Sequence, residues 1–109
     1  MSTKLEELVG ITSSMRILYA EDDFQLRENT TGVLSDLFLK VDEASDGQEA
    51  WEMYQHNISA YDIIITDLNM PHMNGIELIK HIQVINPLQA IVIISAHNET
   101  EYFLESIRN

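Results

Sequence analysis

The chain has 109 residues, which suits one small domain, and its hydrophobic fraction of 45% is ordinary for a globular core. Its formal charge of −12, from 18 acidic and 6 basic residues, disfavours direct nucleic-acid binding, which needs a basic face against the phosphates. The sequence has no cysteine for disulfides or thiolate metal sites, and no apolar run approaches the roughly 18 residues that cross a bilayer. We therefore expect a cytoplasmic domain without membrane contact.

Residues 1–14 are predicted to be an N-terminal leader, in which KLEELV has the pattern of one or two helical turns that nothing in the sequence fixes. From Met15 onward, short apolar runs alternate with segments of helical spacing. The predicted strands are residues 15–20, 40–44, 61–66 and 90–95, and the predicted helices are residues 24–38, 47–57, 75–85 and 99–107.

Three of the predicted helices begin with a capping pattern. A short acceptor side chain precedes a glutamate by three residues, so that the acceptor takes a helix N–H while the glutamate reaches back. The pairs are Asp46 with Glu49, Asn74 with Glu77, and Asn98 with Glu101. Pro87 is predicted to end the third helix.

Alternating strands and helices predict an α/β fold, a parallel sheet with helices on both faces. The first, third and fourth strands are continuous apolar runs, which is typical of strands buried on both sides. Ligands of such sheets bind beyond the carboxyl ends of the strands. If these three strands are adjacent, Glu21, Asp22, Asp67 and Ser95 converge at one edge.

Crowded carboxylates repel one another, so a hard cation is the expected partner, and Mg²⁺ prefers oxygen ligands of this kind. Zinc is disfavoured, because the nearest histidine, His97, lies two residues beyond Ser95. Each residue taken singly has a structural alternative. Asp22 or Asp23 could cap the following helix, and Asp67 could be a turn residue. Only their joint occurrence at successive strand ends favours a site.

The motifs ILYAEDD, ASDGQEAW, IIITDLNMPHMNGIEL and IVIISAHNE, in this order, closely resemble those of the response-regulator receiver domains of two-component signalling. The resemblance covers roughly residues 15–109. It implies a doubly wound, flavodoxin-like fold with strand order 2-1-3-4. It also implies a signalling domain, rather than an enzyme, that assists its own phosphotransfer and dephosphorylation and switches conformation to control an output.

The resemblance assigns roles to individual residues. Asp67 would accept a phosphoryl group from a sensor histidine kinase or a histidine phosphotransfer protein. Mg²⁺ would be held by the side chains of Asp22 and Asp67 and the backbone carbonyl of Asn69, with Glu21 acting through a metal-bound water. Ser95 and the backbone N–H of Ala96 would contact the phosphoryl group. His97 has either an influence on the attacking water or no role, whereas His56, His72 and His81 are expected to be exposed residues without a function.

The family pattern continues with a fifth strand, whose end carries a lysine, and a fifth helix, both of which the sequence lacks. We therefore expect a receiver domain that is truncated after its fourth helix. The fourth strand would then be an uncovered edge. Self-association through this edge, or a longer chain, is expected to cover it, and phosphotransfer without the lysine is expected to be slower.

Two other functions compete with this interpretation. An aspartyl-nucleophile phosphatase commonly has a second aspartate two residues after the nucleophile, but this position is Asn69. A receiver-like interaction module without phosphorylation is the other alternative. The complete acidic cluster and Ser95 argue against it, whereas the missing lysine keeps it open.

Overall fold

The computed structural model describes residues 4–94, except for the side chains of three residues in the first helix. Four helices and four strands alternate along this part of the chain. The helices are α1 (Lys4–Thr12), α2 (Phe24–Leu37), α3 (Gly47–His56) and α4 (Gly75–Ile85), and the strands are β1 (Arg16–Ala20), β2 (Lys40–Ala44), β3 (Ile63–Asp67) and β4 (Ala90–Ile94). The helix predicted at residues 99–107 and the cap at Asn98 lie outside the described residues.

The strands form one parallel sheet in the order β2-β1-β3-β4, which confirms the predicted doubly wound, flavodoxin-like topology. In the register of the two central strands, Tyr19 lies opposite Ile65 and Ala20 opposite Thr66. The third strand begins later than predicted, at Ile63, and includes Asp67. The phosphoacceptor candidate therefore lies within the sheet, next to the exit of β1.

Side chains of the two central strands alternate between two apolar layers. Leu18 and Ile64 point to the face covered by α3 and α4, where the core includes Tyr54, Leu78 and Ile82. Ile17, Tyr19 and Ile65 point to the opposite face, against Leu34 and Phe38. This alternation follows from the two-residue period of a strand and confirms that β1 and β3 are buried on both sides.

β4 differs from the central strands, although its sequence is equally apolar. Val92, Ile93 and Ile94 are 47%, 37% and 46% exposed, so the burial on both sides that the apolar run by itself indicates is not found for β4 in the described structure. Among the described residues, β4 pairs with β3 alone. The expectation of an uncovered edge at this strand therefore holds for the part of the chain that is described.

The helix starts carry the predicted caps. Asn74 and Glu77 form a complete capping box at α4. At α3 the Asp46 carboxylate accepts from the Glu49 N–H, but the Glu49 carboxylate accepts from the N–H of Ser45 rather than from that of Asp46. α4 ends two residues before Pro87, as expected from the steric demand of proline.

The N-terminal segment is more helical and better anchored than its sequence indicates. α1 has nine residues, and the Thr12 hydroxyl at its end donates a 2.7 Å hydrogen bond to the Leu37 carbonyl at the end of α2. Thr12 is buried. None of the helices within residues 4–94 combines the length and apolarity that a membrane span requires.

Candidate functional site

Three carboxylates meet at the carboxyl edge of the sheet. Glu21 and Asp22 directly follow β1, and Asp67 is the last residue of β3. One oxygen from each of the three lies within 4.8 Å of the others. The backbone N–H of Glu21 donates to the Ala44 carbonyl of β2 at 3.0 Å, so the sheet pairing itself holds the start of this cluster. The predicted convergence of these three residues is confirmed.

Two of the three carboxylates are buried. Glu21 is 5% exposed and Asp67 is 8% exposed, whereas Asp22 faces solvent. Burial raises the pKa of Glu21 to about 7, and its hydrogen bond with Asp22 and the charges of Asp67 and Asp22 act in the same direction. A donated N–H from Asp23 opposes them. The cluster thus carries an unfavourable density of negative charge that a cation would relieve.

Hydrogen bonds from the backbone fix two of these carboxylates. The N–H of Leu68 donates to Asp67 Oδ1 at 2.8 Å, and the N–H of Asp23 donates to Glu21 Oε2 at 3.1 Å. The side chain of Asp23 is engaged elsewhere, since its Oδ1 caps α2 by accepting from the Leu26 N–H at 2.9 Å. The question of which aspartate caps the helix is therefore answered in favour of Asp23.

Arg27 is a residue at this edge that the sequence did not single out. Its guanidinium donates a 2.6 Å hydrogen bond to the carbonyl of Glu21 and lies 5.6 Å from the ring centroid of Phe24. The spacing of arginines along a helix gives no signal of such a contact, because the bond goes to a backbone oxygen six residues earlier, before the helix begins. Arg27 holds the turn between β1 and α2.

The loop of residues 68–74 connects Asp67 to α4. The backbone at its two ends packs so closely against Gly75 and Gly47 that neither position has room for a side chain. A Cβ on Gly75 would lie 2.3 Å from the Asp67 carbonyl oxygen, and one on Gly47 would lie 1.9 Å from the Met73 carbonyl oxygen. The side chains of Met70 and Met73 are buried in the core. The two glycines thus allow the loop of residues 68–74 to lie against the N-terminal ends of α3 and α4.

His72 has an unexpected contact at the tip of this loop. Its backbone φ is 69°, and its Nδ1 lies 2.8 Å from Asp46 Oδ2. Burial raises the pKa of Asp46, but the N–H of Glu49 and the imidazole of His72 outweigh it and lower the pKa below its ordinary value. The sequence prediction of an exposed side chain is correct for His72, but its partner could not be found from the spacing.

Of the remaining predicted site residues, some lie within the described part of the chain and others do not. Asn69 is exposed on the loop two residues after Asp67. Ser95, Ala96 and His97 lie outside the described residues, so their predicted roles stay predictions. His56 and His81 are exposed, and the Nδ1 atom of each contacts a carbonyl of its own helix.

Comparisons with known proteins agree with the interpretation drawn from the fold and the acidic cluster. Residues 17–109 match the family model described as the response regulator receiver domain. The chain is 37% identical over 86 residues to the chemotaxis protein CheY1 of Helicobacter pylori, covering 78% of this chain and 68% of that protein. It is also 31% identical to the transcriptional regulatory protein YesN of Bacillus subtilis, matching over 85% of the chain but only 26% of that protein.

Solved structures agree with the fold. The N-terminal domain of an uncharacterized protein from Wolinella succinogenes has a TM-score of 0.76 and 34% identity, over 87% of this chain and 75% of that one. The structure of a complex of CheX, CheY, BeF₃ and Mg²⁺ from Borrelia burgdorferi has a TM-score of 0.77 and 25% identity, over 86% of this chain and 71% of that one. The chain belongs to the response regulator receiver domain family.

Proposed function

We propose that this domain is a phosphorylation-dependent signalling receiver in which Asp67 accepts the phosphoryl group. The observation that carries the proposal is the placement of the Asp67 carboxylate at the carboxyl end of a central strand, within 4.8 Å of the carboxylate oxygens of Glu21 and Asp22. The phosphoryl donor would be a sensor histidine kinase or a histidine phosphotransfer protein, as in two-component signalling.

A carboxylate is a competent nucleophile toward phosphorus. An oxygen of Asp67 forms the new bond to the phosphorus atom, while the bond between phosphorus and the donor's nitrogen breaks and its electron pair returns to the donor imidazole. The product is an acyl phosphate on Asp67. Because the incoming group is an anion, the main obstacle is repulsion by the three carboxylates.

The donor set at this edge fits Mg²⁺. It consists of three carboxylates, which are ligands that this ion prefers. Burial and, to a smaller extent, the charges of Asp67 and Asp22 raise the pKa of Glu21, and a cation would relieve the repulsion between these charges. The residues that would hold the ion are Asp22, Asp67 and the backbone carbonyl of Asn69, with Glu21 contributing through a water. When bound, Mg²⁺ supplies the positive charge that offsets repulsion between the carboxylates and the phosphoryl group.

The chain's own residues perform the remaining tasks. The Leu68 N–H orients the Asp67 carboxylate by donating to its Oδ1 at 2.8 Å. Burial of Asp67, which is 8% exposed, limits the access of water to the carboxylate. Ser95 and the Ala96 N–H would donate to phosphoryl oxygens. His97 is given no role in this proposal.

Relatives support the assignment within limits. The Borrelia burgdorferi CheY structure contains BeF₃ and Mg²⁺, and the two chains have the same fold. The chain spans about a quarter of the length of YesN and 44% of that of ComA, both transcriptional regulatory proteins of Bacillus subtilis. We propose a cytoplasmic receiver domain over residues 15–109 that neither contacts nucleic acid nor membrane directly, and we assign no output.

The test is to incubate the chain with Mg²⁺ and a small phosphodonor, acetyl phosphate, and to measure its mass. The expected result is an increase of one phosphoryl group that is lost in Asp67→Asn and on chelation of the metal. Asp62→Asn is the matched control, since Asp62 is exposed just before β3. An unmodified wild-type chain would favour the interaction module, and rapid turnover of many substrate equivalents would favour a phosphatase.

A further inference from the structure

The tip of the phosphoacceptor loop has a strained turn. The backbone of His72 has a φ of 69°, a region that residues other than glycine rarely occupy. The Met73 N–H donates to the Pro71 carbonyl at 2.7 Å, which closes a three-residue γ-turn around His72. A strained turn of this kind persists only where surrounding contacts hold it.

One side-chain contact to this turn comes from the start of α3. The Asp46 carboxylate uses one oxygen to cap that helix, accepting from the Glu49 N–H at 2.8 Å. Its other oxygen lies 2.8 Å from His72 Nδ1. An ionised carboxylate only accepts hydrogen bonds, so Nδ1 carries the proton and donates. The Asp46 side chain is 16% exposed and that of His72 is 72% exposed, so the carboxylate is partly buried while the imidazole lies at the surface.

The two ends of the loop are fixed by other means. At the start, the Leu68 N–H donates to Asp67, and at the end the Gly75 N–H donates to the Leu68 carbonyl at 2.9 Å. Between these points lies Asn69, three residues before His72. The side-chain contacts described for the loop tip thus include one charged anchor, which joins His72 to the N-cap of α3.

We propose that His72 is a positioning residue for the Asp67 site: its hydrogen bond to Asp46 holds the loop tip, and through the loop it sets the position of the Asn69 carbonyl. The inference rests on the proposed function, because it assigns His72 to the same metal and phosphoryl site. His72 is not proposed to contact the metal ion or the phosphoryl group. Its effect passes through the backbone from the turn to Asn69.

Two substitutions at His72 separate the imidazole from the turn. Glycine adopts a φ of 69° without strain, so His72→Gly removes the bond and keeps the turn, whereas His72→Ala removes the bond and keeps the strain. Asp46→Asn keeps an oxygen for the helix cap but presents an uncharged amide to His72, so the bond loses the charge that strengthens it. His56→Ala is the matched control, because the His56 imidazole is exposed and contacts only the Glu52 carbonyl of its own helix among the contacts described.

The experiment measures the Mg²⁺ dissociation constant of the full chain by calorimetry, the thermal midpoint of unfolding, and hydrogen exchange at the Met73 and Gly75 amides without metal. We expect His72→Gly, His72→Ala and Asp46→Asn each to weaken Mg²⁺ binding about tenfold, the low end of what residues supporting metal ligands contribute. The His72→Gly/Asp46→Asn double variant should be no weaker than either single variant. His72→Gly should unfold at no lower temperature than the wild type, yet exchange faster at both amides.

Several results would overturn the inference. Wild-type Mg²⁺ affinity in His72→Gly, with weakening in His72→Ala alone, would assign the effect to the turn rather than the imidazole. Effects of His72→Gly and Asp46→Asn that multiply would show that the two side chains act independently. A wild-type chain that bound no Mg²⁺ would overturn the proposed site and this inference together, whereas wild-type binding with unchanged variants would overturn this inference alone.

Discussion

Gly75 lies directly against the backbone of Asp67, with no room for a side chain between them. A Cβ on Gly75 would lie 2.3 Å from the Asp67 carbonyl oxygen and 3.0 Å from the Leu68 Cα. Both neighbours are backbone atoms of the loop that leaves the sheet, so they cannot move aside as a flexible side chain can. The start of α4 and the proposed phosphoacceptor are therefore one packed unit.

This contact predicts opposite effects of the same substitution at two glycines. Gly75→Ala forces backbone apart and is expected to lower the free energy of unfolding by about 1–3 kcal/mol. Gly32→Ala, within α2, meets nothing within 4 Å and is expected to raise it by up to about 1 kcal/mol through helix propensity. Urea unfolding of both variants measures the two values. A stabilising Gly75→Ala would contradict the packing described.

The adjacent aspartates Asp22 and Asp23 are expected to separate metal binding from helix capping. Asp22→Asn removes a proposed ligand and is expected to weaken Mg²⁺ binding at least tenfold. Asp23→Ala removes the cap that accepts from the Leu26 N–H, so it is expected to cost about 1 kcal/mol of stability while Mg²⁺ affinity stays near that of the wild type. Calorimetric titration and urea unfolding distinguish the two. The reverse pattern would exchange their roles.

The raised pKa of Glu21 predicts that the free energy of unfolding depends on pH when no divalent cation is present. Burial raises the pKa of Glu21 in the folded state from the ordinary value of 4.5 to about 7. The folded state therefore holds a proton that the unfolded state releases, so this contribution is full below about pH 4.5 and is lost as the pH rises through about 7. The loss is at most about 3 kcal/mol.

Urea unfolding at several pH values, compared between the wild type and Glu21→Gln, measures this contribution. The decrease between pH 5 and pH 8 should be smaller in the variant, because glutamine has no proton to lose. Glu43→Gln, at an exposed position of β2, is the control and should keep the wild-type slope. Equal slopes in wild type and Glu21→Gln would show that Glu21 does not carry the effect.

Thr12 tests whether the N-terminal helix is part of the folded unit. Thr12→Val keeps the shape but removes the hydroxyl that donates to the Leu37 carbonyl at 2.7 Å, so we expect a loss of about 1 kcal/mol. Ser14→Ala is the control, since that side chain is exposed and its 3.4 Å contact is within the same segment. A Thr12→Val variant as stable as the control would indicate that α1 does not contribute to the stability of the domain.

Much of the fold could be predicted because its signals are local. The apolar runs indicated the strands, and the caps at Asp46 and Asn74 marked helix starts to the residue. The exposure of β4 was only half anticipated, since an apolar run indicates that burial is favourable but not which elements provide it. α1 was underestimated because the Thr12 contact joins residues 25 positions apart.

The candidate site divides in the same way. The convergence of Glu21, Asp22 and Asp67 could be predicted from the strand ends, because parallel strands place their carboxyl ends at one edge of the sheet. The contacts of Arg27 with Glu21 and of His72 with Asp46 were missed. The first goes to a backbone oxygen and the second depends on a γ-turn at a non-glycine residue, and neither leaves a periodic pattern in the sequence.

The central claim is tested most directly by locating the phosphoryl group. After reaction with acetyl phosphate and Mg²⁺, borohydride reduces an aspartyl phosphate to homoserine, and peptide mass spectrometry identifies the residue that changed. The account predicts homoserine at position 67 and at no other aspartate, and no conversion when the metal is chelated. Conversion at Asp22 or at another aspartate, or none with Mg²⁺ present, would contradict it.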